Sequence, residues 1–183
     1  MRRFGAFVLA GLLLVSARAE AEEIEDTENW RRVDSRYCTI WLHPSVELGK
    51  VNRKISTFGI RPRVKVSKGH ADAGELASKC DTIFRRTEEI LDMYPPGIHT
   101  TIKVAKERHQ ISSVHAGRYG HGTKALAFYM FEYYTIYATV KDISEDVLGH
   151  EMAHCIIDHY FNVRPPRKIE EMLAIHVNEQ LRD

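Results

Sequence analysis

The chain has 183 residues, of which 44% are hydrophobic and 28% are charged, with a formal net charge of +1 at pH 7. That length is enough for one domain with a single core. The near balance of charge excludes a strongly basic protein, so nothing points to a nucleic acid or an anionic membrane surface as partner.

The first 19 residues predict a targeting segment. Arg2 and Arg3 form a charged start, Phe4–Val15 is an apolar stretch, and Ala17-Arg18-Ala19 is a small-residue cleavage site. Because the apolar stretch is too short to span a bilayer, we expect its removal rather than a stable membrane anchor. The mature protein is then periplasmic or secreted. Cleavage after Ala21 is the alternative.

Residues 20–35 predict an acidic, flexible leader, because glutamate dominates the run 20–28. Residues 36–183 predict a single α+β domain. Its strand-like segments are Tyr37–Leu42, Arg63–Val66, Thr100–Ala105, Lys124–Met130 and Tyr134–Val140. Its helix-like segments are Ser45–Ser56, Asp72–Met93, Ser144–Phe161 and Arg167–Leu181. We expect residues His109–Gly122 to form a loop, and the last two strands to be joined by a tight turn.

The helix predicted from Ser144 carries the sequence His150-Glu151-Met152-Ala153-His154. Two histidines four residues apart lie on one face of a helix and can bind one metal ion, with the glutamate placed to polarise a metal-bound water. In a chain with 10 histidines this pattern arises in about one shuffled sequence in twenty. The context is favourable, because Ser144 can cap the helix and Pro165-Pro166 ends it.

A catalytic zinc ion needs a third protein ligand. His159 falls on the opposite face of the helix from His150, so we expect it to be a surface or capping residue. Glu170 and Glu171, in the first turns of the last helix, are better placed. Either both are solvated acids favoured by the helix dipole, or one of them completes the metal shell.

The motif His150-Glu151-x-x-His154, followed by Glu171-Met172-Leu173-Ala174, resembles the gluzincin (thermolysin-like) family of zinc metalloproteases. Met172 stands where that family usually has Gly. The resemblance implies one Zn²⁺ held by His150, His154 and Glu171, with Glu151 as general base. It also implies that Glu170 is a solvated neighbour of the ligand.

The resemblance extends over Arg63–Arg182 and implies a zincin-like fold. Such a domain has a small mixed β-sheet packed on a long helix, followed by the metal-binding helix and a C-terminal helix with the glutamate ligand. It further implies that Lys124–Met130 is an edge strand that holds the substrate backbone, with Ala127 facing the cleft. The alternative is a hairpin that simply covers the core.

Other polar residues are assigned lesser roles. Asp158 or Glu179 could accept the second N–H of a ligand histidine. The family takes an oxyanion donor from a downstream segment, and His176 is the only candidate for it after Glu171. A protein partner that completes the active site is therefore also consistent with the sequence.

His115 and His121 lie among glycines, and we expect them to be exposed loop residues; the alternative is that they line the cleft.

The sequence has three cysteines, Cys38, Cys80 and Cys155, so they cannot all pair with one another. Cys38–Cys80 is the natural disulfide in an exported protein, and Cys155 is expected to be a small buried apolar residue.

Two functions follow from these patterns. The first is an exported zinc metallopeptidase that hydrolyses a peptide or protein substrate. The alternative is a zincin-fold binding module with a structural zinc ion. Glu151 favours the enzyme, because a structural site has no need of a base.

Overall fold

The structure is a computed structural model that describes residues 24, 26–57 and 71–182. The strands are β1 (Arg31–Asp34), β2 (Cys38–Leu42), β3 (Thr100–Ala105), β4 (Ala127–Met130) and β5 (Thr135–Thr139). The helices are α1 (Leu48–Lys54), α2 (Ala71–Leu91), α3 (Arg108–Tyr119), α4 (Glu145–Tyr160) and α5 (Arg167–Arg182). The predicted targeting segment and the predicted strand Arg63–Val66 lie outside the described residues.

The described strands form one mixed five-stranded sheet in the order β1-β2-β3-β5-β4. The three inner strands β2, β3 and β5 run parallel to one another, whereas the edge strands β1 and β4 each run antiparallel to the strand beside them. A short 3-10 turn, Phe131–Tyr133, joins β4 to β5. The predicted α+β class is confirmed, and β4 is an edge strand as predicted.

Two apolar clusters cover opposite faces of the sheet. On one face, α2 and α4 pack on the sheet and α5 packs on both helices, and the cluster there includes Ile40, Ile102 and Ile136. On the other face, α3 packs on β3 and β5, and Tyr137 is buried there. The alternation predicted for β5, with Ile136 and Tyr137 on different faces, is confirmed. The metal motif is thus on a helix held between the sheet and the last helix.

The segment predicted as a loop at His109–Gly122 is largely helix α3, and that prediction was wrong. Glu107 and Gln110 form a reciprocal capping box at its start. Gly120, with φ of 78°, takes the left-handed conformation that ends it. The glycines and histidines suggested an irregular backbone. The two caps and the burial of Ile111 and Val114 stabilise a helix instead.

The predicted flexible leader is also wrong for its last residues. Arg31–Asp34 form β1 and pair with β2, and Trp30 is buried. Further upstream, Ile24 is fully buried in the second apolar cluster. These few apolar side chains fix a segment whose overall composition is acidic.

The three cysteines are free and buried, so the predicted Cys38–Cys80 disulfide is not formed. Burial raises the pKa of the Cys80 thiol to about 12, and that of Cys155 to about 12. Cys155 is a buried small residue, as expected.

Among the described residues, no helix is both long enough and apolar enough to cross a membrane.

Candidate metal centre

Helix α4 positions both motif histidines. The Ser144 side chain accepts a 3.2 Å hydrogen bond from the Val147 backbone N–H, and Glu145 and Asp146 lie in the first turn. Both features stabilise a helix start. Leu148, Met152 and Ile156 are buried in the core, which directs the half-buried His150 and His154 toward the start of α5.

Three side chains meet at this point. The Nε2 atoms of His150 and His154 are 3.2 Å apart, and the Glu171 carboxylate lies 3.6 Å from the first and 3.8 Å from the second. Three ligands at about 2.0–2.1 Å from one tetrahedral ion would be about 3.3 Å from each other. The cluster can therefore hold one metal ion, and it is the only such group among the described residues.

The protonation state of the histidines suits metal binding. Burial is the main cause that lowers the pKa of both His150 and His154. The negative charge of Glu171 opposes both shifts. The imidazoles are thus neutral near pH 7, and a neutral nitrogen is the form that binds a metal.

Glu170 does not behave as predicted. It is buried, and its Oε1 accepts a 2.7 Å hydrogen bond from Nε of Arg164. The expectation of a solvated neighbour was wrong because Arg164, in the loop between α4 and α5, supplies a counter-charge inside the fold. Glu171, the next residue, is the one that joins the metal cluster.

Gly149 lets α5 approach the motif closely. A Cβ atom at this position would collide with a methyl group of Leu181 and contact Val177, both on α5. The glycine that precedes His150 therefore leaves room for the Leu181 side chain between the two helices.

The second nitrogen of His150 contacts α5 rather than the predicted acids. Its Nδ1 atom lies 3.4 Å from the side-chain amide nitrogen of Asn178. Asp158 instead accepts a 3.1 Å hydrogen bond from the Tyr129 hydroxyl, and Glu179 is exposed. Both predicted outer-shell assignments are thus corrected.

Glu151 is buried and lies beside the cluster. Its Oε2 accepts a 2.7 Å hydrogen bond from the backbone N–H of Tyr129 in β4. Burial raises the pKa of Glu151 to about 7; the Tyr129 N–H opposes this shift and the Glu171 charge adds to it. A carboxyl group with a pKa near the operating pH is suited to general acid and base catalysis.

The cluster opens into a cleft of about 740 Å³. The residues that line the cleft come from α3, β4, the segment before β4, the metal helices and the loop between them. They are His115, Tyr119, His121, Thr123, Ala125, Ala127, Phe128, Tyr129, Glu132, His150, Glu151, His154, Arg164, Pro165, Arg167, Glu170 and Glu171.

Both loop histidines line this cleft, so the alternative considered for them holds. The ring of His115, on α3, packs edge-on against Phe128 at 5.2 Å, and its Nδ1 lies 2.7 Å from the His121 carbonyl oxygen.

Two other histidines lie away from the site. His176 is exposed on α5 and does not line the cleft. His159 is outside the metal cluster and packs against Tyr134.

Ala127 lies on the cleft side of the edge strand. Residues of an antiparallel strand alternately direct their backbone groups toward the neighbouring strand or away from it. The Tyr129 N–H is bonded to Glu151 and not to β5, so the backbone of Ala127, two residues earlier, also faces away from β5. This leaves the cleft edge of β4 suited to pairing with an extended peptide.

Arg164 and Arg167 are the charged cleft residues, apart from Glu132, that the sequence did not place at the site. Arg164 lies in the loop between α4 and α5, and Arg167 is the first residue of α5. Neither position follows a helical or strand pattern in the sequence, so only the three-dimensional structure places these side chains in the cleft.

No protein-family model matches the chain, and neither a curated protein nor a solved structure matches it.

Proposed function

We propose that this protein is an exported zinc metallopeptidase of gluzincin type with a zincin-like domain. The observation that carries the proposal is the position of Glu151. Its buried carboxylate lies between the two histidines in sequence and borders the same cleft, and burial raises its pKa in the metal-free protein to about 7. A purely structural metal site has no use for such a group.

His150, His154 and Glu171 would hold the ion, with a histidine and carboxylate ligand set that suits zinc. When bound in such a site, zinc lowers the pKa of a bound water to about 7 and polarises a carbonyl group. Glu151 accepts the proton of the attacking water and delivers it to the leaving amine. The Tyr129 N–H holds the carboxylate in place for both transfers.

We infer that the substrate is a peptide or protein bound in extended form along β4. The outward-facing backbone of Ala127 would pair with the substrate main chain, while the cleft receives its side chains. The cleft extends along β4, since its lining runs from α3 across β4 to the start of α5.

The rival function is a binding module in which the zinc ion is structural or a partner protein completes the site. The discriminating experiment uses the mature protein loaded with one equivalent of zinc and a diverse peptide library. We expect Glu151→Gln to keep stoichiometric zinc and to lose cleavage, since its carboxamide cannot accept the proton.

Glu179→Gln is the matched control, because Glu179 is exposed on α5 and outside the cleft. It should cleave as the wild type does. If the wild type and Glu151→Gln carry full zinc and neither cleaves any peptide, the binding-module function is correct instead.

A further inference from the structure

Two adjacent carboxylates at the start of α5 have opposite environments. The Glu170 side chain is 5% exposed and points into the fold, whereas that of Glu171 is 39% exposed and faces the histidines. Consecutive residues on a helix point about 100° apart. The direction of one side chain therefore determines that of the other, and a rotation of α5 would exchange them.

Arg164 fixes this rotation from outside the helix. Its Nε donates to Glu170 at 2.7 Å and lies 3.7 Å from a carboxylate oxygen of Asp158 on α4. Its guanidinium also stacks over the Phe131 ring at 4.9 Å. One side chain thus connects the start of α5 with α4 and with the turn after β4.

We propose that the Arg164–Glu170 ion pair selects Glu171 as the metal ligand by holding the neighbouring carboxylate inside the fold. Arg164 and Glu170 are positioning residues and do not bind the ion. This inference rests on the metal site of the proposed function, but not on peptidase activity.

The chain supplies a matched comparison at the other end of the same two helices. Arg182, near the end of α5, donates to Asp146 at the start of α4 at 2.8 Å and 3.0 Å. This pair also joins α4 to α5, but it contains no residue next to a metal ligand. A variant that breaks it tests whether any link between the helices has the same effect.

The experiment measures the affinity of the metal-free protein for Co²⁺ and Zn²⁺ by competition with a chromophoric chelator, in the absence of substrate. We expect Arg164→Met and Glu170→Gln each to weaken binding about 10–100-fold, the range seen when groups that orient ligands are removed. The Co²⁺ absorption bands should also change, because the third ligand is displaced. Asp146→Asn should keep the wild-type affinity within twofold.

Arg164→Met leaves a buried carboxylate without its counter-charge and could unfold the protein, which circular dichroism would reveal. Glu170→Gln keeps the size of the side chain and removes that problem. The proposal is overturned if Glu170→Gln binds both ions as the wild type does, if Asp146→Asn is equally weakened, or if the wild type binds neither ion. A lack of peptide cleavage would instead refute only the proposed function.

Discussion

The backbone N–H of Tyr129, in edge strand β4, donates a 2.7 Å hydrogen bond to the carboxylate of Glu151 on helix α4. The bond joins the strand proposed to hold the substrate with the residue proposed to act as base. It fixes the distance between them through a main-chain group that no side-chain substitution except proline removes.

Tyr129→Pro should therefore impair catalysis more than Tyr129→Ala. Proline is tolerated on an edge strand where its missing N–H does not face the neighbouring strand, as here. Loss of a hydrogen bond to a charged group costs about 1.5–3 kcal/mol, which corresponds to about a 10–150-fold lower kcat. Both variants lose the Tyr129 hydroxyl, so the ratio of their kcat values isolates the backbone bond. Equal rates would show that this bond does not position Glu151.

Removal of the metal should destabilise the folded protein. A ligand present at 1,000 times its Kd stabilises the native state by about 4 kcal/mol, so a chelator should lower the melting temperature and added zinc should restore it. Glu171→Ala should abolish this zinc response. His159→Ala, which alters the same helix as the motif histidines but not the cluster, should retain it. A response that survives Glu171→Ala would contradict the ligand assignment.

Gly149→Ala should weaken both folding and metal binding. The added methyl group would collide with a terminal methyl group of Leu181, so Leu181 must shift within the interface between α4 and α5, at an overpacking cost of about 1–3 kcal/mol against a helix-propensity gain of about 1 kcal/mol. The shift loosens the contact between the two helices that hold the metal ligands. Denaturant unfolding and zinc titration measure the two effects. The double variant with Leu181→Ala should recover zinc affinity, and failure to do so would place the effect elsewhere.

Acid should lower the free energy of unfolding in part because it protonates the carboxylate of Asp142. Hydrogen bonds from the Arg108 guanidinium are the main cause that lowers the pKa of this carboxyl group, with Thr139 contributing. Because the folded-state pKa is depressed, the stabilisation is present above the unfolded-state pKa of about 3.9 and is lost as the pH falls through the folded-state value.

Asp142→Asn should accordingly cost about 1 kcal/mol near pH 7, a value reduced by the exposure of Arg108, and less than that at pH 2, which is below the unfolded-state pKa. Urea unfolding at both pH values measures the difference. A variant equally destabilised at both would indicate that packing, and not charge, explains the loss.

Much of the fold was predictable because periodicity is a local property. Thr100–Ala105 and the helix around His150 were expected within a residue of their observed bounds, and the capping role of Ser144 is confirmed. The convergence of His150, His154 and a glutamate of the last helix was predicted as well, and the family resemblance implied that this glutamate is Glu171.

What could not be predicted depends on distant contacts. Nothing in the sequence around Glu170 shows that Arg164 will pair with it in the interior, so its burial was missed. Helix α3 was missed because its glycines and histidines suggested a loop, although Glu107 and Gln110 were a readable capping signal. The zincin-like fold and the peptidase activity remain proposals.

Ile24 is attached to the folded domain through its side chain and its carbonyl group. Its side chain shares a cluster with Trp30 and Tyr137, and its carbonyl oxygen accepts a hydrogen bond from Nζ of Lys103 at 3.2 Å. Both candidate cleavage points precede this residue, so maturation at either one would leave the attachment intact. A recombinant fragment trimmed to Trp30 would lack this buried side chain, with a loss of about 2–5 kcal/mol expected for a cavity of that size. A useful expression boundary therefore lies upstream of Ile24.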